Sequence, residues 1–178
     1  MWTRAAHWPF LVVIGMGLVI GLAASGAFAV ALRVTSSDAF CSSCHAQNVV
    51  PEWKKSMHFA NPAGVTAGCS DCHEPRDPIG LVARKLAAVH EIWSELAGTI
   101  ATPEAFEANR LRLAQAEWSR LRADNSQECR NCHAVEHMQD PARSFVSTLH
   151  ADATAKRQAC IDCHTGVAHS APKVTTPR

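Results

Sequence analysis

The sequence predicts a mainly α-helical chain with extensive irregular structure: a small domain carried on a single N-terminal transmembrane helix. Three observations predict it. Residues 8–32 are an unbroken apolar run, helix-period patterning recurs in the middle of the chain, and no stretch shows the apolar–polar alternation of a half-buried strand.

The N-terminal run comes first. Residues 5–32 hold no formally charged side chain, and every Asp and Glu lies later. As a helix, 8–32 would be roughly 37 Å long, enough to cross a hydrocarbon layer of ~30 Å with some tilt. Trp2 and Trp8 stand where interfacial aromatics are found, and Arg4 with the amino terminus marks the positive inside end, against which Arg33 argues at the other. Residues 1–7 are thus expected in the cytoplasm, 8–32 in the inner membrane as an anchor, 33–170 as a periplasmic domain and 171–178 as a flexible tail. The rival reading is a cleaved signal peptide, with Arg4 as its charged region and Ala27-Phe28-Ala29 as its cut. Against it, the run is long and continues past that cut. Both readings carry the remainder out of the cytoplasm.

Composition then narrows the class. The chain has 178 residues and a formal net charge of +1, so no bulk charge favours nucleic acid. From Arg33 onward lie all eight cysteines and nine of the ten histidines, and tyrosine is absent altogether. So short a chain with so many Cys and His is not built around an ordinary apolar core. A cytosolic enzyme, a disordered tail and a nucleic-acid binder are all excluded.

The cysteines fall in four pairs of identical spacing, each followed at once by histidine. They are Cys41-Ser-Ser-Cys44-His45, Cys69-Ser-Asp-Cys72-His73, Cys129-Arg-Asn-Cys132-His133 and Cys160-Ile-Asp-Cys163-His164. Two thiols three residues apart lie about one helical turn from each other, so both can form thioethers to the two vinyl groups of one haem. The adjacent histidine then supplies the first axial nitrogen to iron. A disulfide framework gives no reason for the four histidines, and zinc ribbons need no histidine after each pair. With ten histidines in 178 positions, four such placements would arise by chance roughly once in 10⁵ trials. The reading is four covalently bound haem c groups. Their flat apolar faces let a short chain wrap cofactor in place of a self-contained core, and their propionates make the loaded domain acidic.

The motif starts, at 41, 69, 129 and 160, suggest two haem pairs flanking an insert, as an old duplication would leave. Leu81, Val82, Leu86, Val89, Ile92, Trp93 and Leu96 recur at helical spacing over 79–96, with Arg84, Lys85, Glu91 and Glu95 on other faces. Gly98 loosens that helix's end. Thr102-Pro103-Glu104 opens a second helix, Thr capping and Pro at the first position. It carries Phe106, Leu111, Leu113, Trp118 and Leu121 and stops near Asp124-Asn125-Ser126.

With these pieces in order, the sequence resembles the NapC/NirT family of membrane-anchored tetrahaem quinol dehydrogenases. The likeness rests on the anchor, the four motifs, and the stretches Ser-Met-His58, Ala-Gly-Cys69, Glu-Cys129 and Cys163-His164-Thr-Gly-Val-Ala-His169. It implies that His58, His150 and His169 are distal iron ligands opposite His45, His73, His133 or His164. It also implies quinol oxidation at the outer membrane face and onward transfer to a periplasmic reductase or soluble cytochrome. Two departures bear on the first haem. Arg76 stands where many members have a histidine after the second motif, and Gln47 where many have a methionine after the first. His90 is then the candidate sixth ligand, while His7 and His137 read as interfacial and local side chains, and Met57 and Met138 as packing residues.

Quinol releases two electrons and two protons, whereas a haem takes one electron. A quinol site therefore needs a proton acceptor, a cation or donor, and a fast electron exit. The resemblance places such residues on the first insert helix, at Arg84, Lys85, His90 and Glu91; a solvated helix face is the alternative for each. Three functions stay open: a quinol oxidiser feeding a periplasmic reductase of the nitrate, nitrite or N-oxide type, a conduit returning electrons to the quinone pool, and a carrier that meets only proteins.

Overall fold

A computed structural model of the chain describes residues 8–45, 48–100, 102–138 and 141–172. The expected cytoplasmic stretch 1–7, Gln47 and positions 173–178 of the tail lie outside the described residues. Those described are mainly helical, with irregular connections and no strand, the fold class that the patterning predicts.

Helix α1 (Trp8–Thr35) is the apolar run, three residues longer than its hydropathy boundary and with no residue buried. Thr35 prolongs it by donating its hydroxyl to Ala31 O at 2.8 Å. Arg33 sits in the last turn, where a cation complements the helix dipole. It is long and apolar enough to cross a membrane.

Beyond α1, helices are short wherever a motif lies. Helix α2 (Asp38–His45) contains the first motif and α4 (Cys69–His73) the second; α3 (Val49–Lys55) stands between them. The insert forms two long helices where predicted, α5 (Pro78–Leu96) and α6 (Pro103–Ala123). Thr102 caps α6 by accepting from Ala105 N at 3.2 Å, with Pro103 at the first position. Gly98, at φ +76°, turns the chain between the two helices. Helix α7 (Gln127–Arg130) leads into the third motif, α8 (Ser144–Ala155) follows, and a 3₁₀ turn at Cys160–Asp162 holds the start of the fourth.

Apolar burial is sparse. Among the described residues the buried apolar side chains are Ile100, Phe106, Leu121, Ala159 and Ile161, with Trp118 packed on the last three named. That is too little to order a domain of this size by itself. Polar side chains on α6 make up part of the difference. Arg110 reaches Glu52 on α3 at 2.8 Å and Ser170 O at 3.1 Å. Arg120 reaches Glu117 at 2.8 Å, Glu128 at 2.7 Å and Cys72 O at 2.9 Å. Arg122 meets Asp162. Ser126, fully buried and in left-handed backbone, accepts from Ile161 N at 3.3 Å and so ties the third motif to the fourth.

Candidate functional site

The four motifs are neighbours in the order in which the chain writes them. Helix α2 packs on α4, and α4 on α7. Cys41 lies within electrostatic reach of Cys69, Cys72 within that of Cys132, and Cys129 within that of Cys160. No disulfide joins any of the eight cysteines. Among the described residues there is also no cluster of three or more His, Cys, Asp or Glu of the kind that holds a bare metal ion. Burial, helped by the Asp38 carboxylate, pushes Cys69 up to about 12, and burial beside other thiols pushes Cys129 up to about 11.

Local geometry explains how the second motif is held. Asp71 accepts from Gly68 N at 2.9 Å, and Asp38 reaches across from α2 to accept from Cys69 N at 2.7 Å. A Cβ on Gly68 would stand 2.8 Å from that Asp38 carboxylate, so only glycine admits the approach.

The histidines are the central finding. His133 faces His58 with ring centroids 6.0 Å apart. His73 faces His169 and His164 faces His150, each at 6.2 Å. Two imidazoles bound to one iron, with metal–nitrogen bonds of about 2 Å and ring nitrogens about 1.1 Å from their centroids, would stand ~6 Å apart. The residues therefore fit the group. His150 also buries an Nδ1 with no protein partner. Burial pushes the His169 imidazole below its ordinary value, so it is a neutral ring with a lone pair to offer.

The ring side chain of His45 lies outside the described side chains. His90 is exposed on α5 and takes part in none of the three pairs. His137 lies in a 3₁₀ turn after the third motif, Met57 is exposed, and Arg76 points its guanidinium toward Cys132 Sγ at 3.8 Å and Asp71 at 3.7 Å.

Several supporting residues escape sequence reasoning. Glu117 accepts from His73 Nδ1 at 3.0 Å, the contact that orients an axial imidazole and raises its basicity. Burial pushes its carboxyl up, but hydrogen bonds from His73 and Arg120 outweigh that and bring it down to about 2. Val167 O lies 3.2 Å from His58 Nδ1 and plays the same part there. No spacing rule signals Glu117, which reads as one more charge on an amphipathic helix.

The four residues expected on α5 divide. Arg84 and Lys85 are half-buried, not solvated. Lys85 Nζ donates to Thr35 O, the end of α1, at 2.8 Å and to the Glu74 carboxylate beside His73. Arg84 pairs with Glu91 at 2.9 Å. His90 and Glu91 are exposed. Glu74, unremarked in the sequence, thus joins Lys85 where the anchor meets the second motif.

Comparison with known proteins completes the picture. The chain matches the NapC/NirT cytochrome c family, N-terminal region, across residues 3–174. It is 45% identical over 164 residues to the denitrification system component NirT of Stutzerimonas stutzeri, covering 90% of this chain and 82% of that protein. It is 42% identical over 160 residues to the cytochrome c-type protein NapC of Escherichia coli K12, covering 88% and 80%. The cytochrome c-type protein TorC of the same strain is 42% identical over 175 residues, which span 97% of this chain and 45% of TorC. No solved structure matches.

Proposed function

The chain belongs to the NapC/NirT cytochrome c family, electron-transfer proteins with covalently bound haem c, and from that premise we propose that it oxidises membrane quinol and relays the electrons through four haems to a periplasmic reductase. Cys41 and Cys44, Cys69 and Cys72, Cys129 and Cys132, and Cys160 and Cys163 hold the four groups. His45, His73, His133 and His164 are their proximal ligands. His169 is the distal ligand opposite His73, His58 opposite His133 and His150 opposite His164. The bound haems supply one-electron carriers whose potentials are set by these axial ligands and their hydrogen bonds.

The observation that carries the reading is the three facing imidazole pairs, at 6.0 and 6.2 Å. An iron held on both faces has no open position for substrate chemistry and is suited to passing electrons. The first motif, nearest the anchor along the chain, is outside those pairs. Lys85 supports the membrane end of the path: it bridges the end of α1 and Glu74, one residue beyond His73. There Lys85 offers a cation to the quinol ring oxygen and Glu74 a carboxylate to take its proton, with Arg84 held in place by Glu91.

In this reading helix α1, long and apolar enough to cross a membrane, is a single-pass anchor, with the haem domain on the periplasmic side and residues 1–7 in the cytoplasm. The denitrification relative supports a partner reductase for nitrate, nitrite or an N-oxide. The test is anaerobic addition of a quinol analogue to the full-length, haem-loaded protein in detergent. Growth of the reduced haem c α-band within the first turnover is the expected result. If dithionite reduces the haems and quinol does not, quinol oxidation is wrong.

A further inference from the structure

Helix α5 carries a stripe of large apolar side chains on the outside. Ile79, Leu86 and Trp93, at seven-residue spacing, are 84, 70 and 70% exposed, and Val89 and Leu96 continue the stripe. The half-buried face of the same helix, Leu81, Arg84, Lys85 and Ala88, lies about 150° round the axis at 3.6 residues per turn. So the stripe points away from the motifs that Lys85 and Glu74 adjoin. An exposed apolar face of this length needs an occupant.

The position of the helix identifies one. Lys85, midway along α5, donates to Thr35 O at the carboxyl end of α1. Helix α1 is 28 residues, about 42 Å at 1.5 Å per residue, against a hydrocarbon layer of ~30 Å, so its end emerges at headgroup level. Lys85 thus fixes α5 at that level, beside the end of the anchor. Its charges do not oppose the contact: Arg84 and Glu91 pair with each other on the other side. Trp93, with an apolar body and a polar N–H, suits the boundary between acyl chains and headgroups.

We propose that α5 lies in the outer membrane interface as an amphipathic helix, with Ile79, Leu86 and Trp93 immersed among the upper acyl chains of the lipid. The anchor and α5 then grip the bilayer at two places, and the Lys85–Glu74 pair is held at the depth from which a quinol head would emerge. This rests on α1 spanning the membrane.

The test uses the full-length, haem-loaded protein in nanodiscs of phosphatidylethanolamine and phosphatidylglycerol doped with a phospholipid bearing a diazirine in its acyl chain. After illumination, adducts are mapped by peptide mass spectrometry. Adducts are expected on α1 and on the 78–96 peptide, and not on α6. In the Leu86→Glu/Trp93→Glu variant, labelling of 78–96 should drop at least fivefold while α1 labelling and haem content stay level. Adducts on α1 alone overturn the proposal, whether a second copy or a haem then covers the stripe. Equal labelling of 78–96 in the variant overturns it as well. Adducts on neither helix overturn both this and the anchor reading, so the two failures are distinguishable.

Discussion

Helices α5 and α6 are consecutive and similar in length, yet they use their side chains in opposite ways. Helix α5 turns Ile79, Leu86, Val89, Trp93 and Leu96 outward and half-buries Arg84 and Lys85. Helix α6 buries Phe106, Arg110 and Leu121 and ties down three motifs through arginines. In a protein whose interior is cofactor, directional ion pairs can position a short motif where side-chain packing has nothing to pack against. Apolar stripes are then released for another solvent.

The largest expected effect lies in α6. Glu128 is buried, and Arg120 is its charged partner while also holding Glu117 and the Cys72 carbonyl. Removing one partner of a buried pair strands the other, so Arg120→Ala should cost about 3 kcal/mol. Denaturant unfolding of the loaded protein, followed at the Soret band, measures this. A loss no greater than that of an exposed arginine such as Arg112→Ala would remove α6 from its structural role.

Next is Glu117→Gln. The amide can still accept from His73 but carries no charge, so the imidazole becomes less basic and the oxidised haem less favoured. One haem potential should rise by about 60 mV, a tenfold change in a one-electron equilibrium. Redox titration of wild type and variant checks it, and four unmoved potentials would count against the contact.

Acid provides a smaller effect. Burial pushes Glu52 up, but Arg110 and the Ser170 amide outweigh it and keep the carboxyl below its ordinary value near 4.5. A carboxyl lowered by folding stabilises the fold above the unfolded value, and this fades as pH falls through the folded one. Glu52 faces Arg110, which Glu107 also pairs, and His169 stands next to Ser170. Between neutral pH and about pH 3, wild type should therefore lose up to ~1 kcal/mol more stability than Glu52→Gln, solvent screening limiting the difference. Equal losses would mean that Glu52 does not tie the His169 segment to α3 and α6.

What the sequence discloses follows the range of the interaction. The four Cys-x-x-Cys-His motifs are local patterns and are legible in the sequence alone. So are both insert helices, because Thr102-Pro103 and the apolar periodicity act within a few residues. Distal histidines were named through family resemblance, but which motif each faces was not, since His58 meets His133 and His73 meets His169 across long stretches of chain. The ion pairs of α6 were invisible for the same reason: Arg110 finds Glu52, and Arg120 finds Cys72 O, only after folding. Periodicity also names a stripe without saying what it touches. It marked α5 as amphipathic, but not that its apolar side faces outward.

The smallest expected effect is the one that decides the comparison. Leu86 and Leu121 are the same residue in two consecutive helices, one exposed and one in the small apolar cluster with Ala159 and Ile161. Leu121→Ala leaves a hole that its neighbours only partly close, and should cost about 2–5 kcal/mol. Leu86→Ala leaves no cavity, and in detergent should stay within ~0.5 kcal/mol of wild type, as a surface change does. Paired unfolding curves give both numbers from one preparation. If Leu86→Ala costs as much as Leu121→Ala, the α5 stripe is an interior surface packed on haem, and both helices serve the same core. If the costs separate as expected, burial in this domain belongs to α6, and α5 is free to meet lipid.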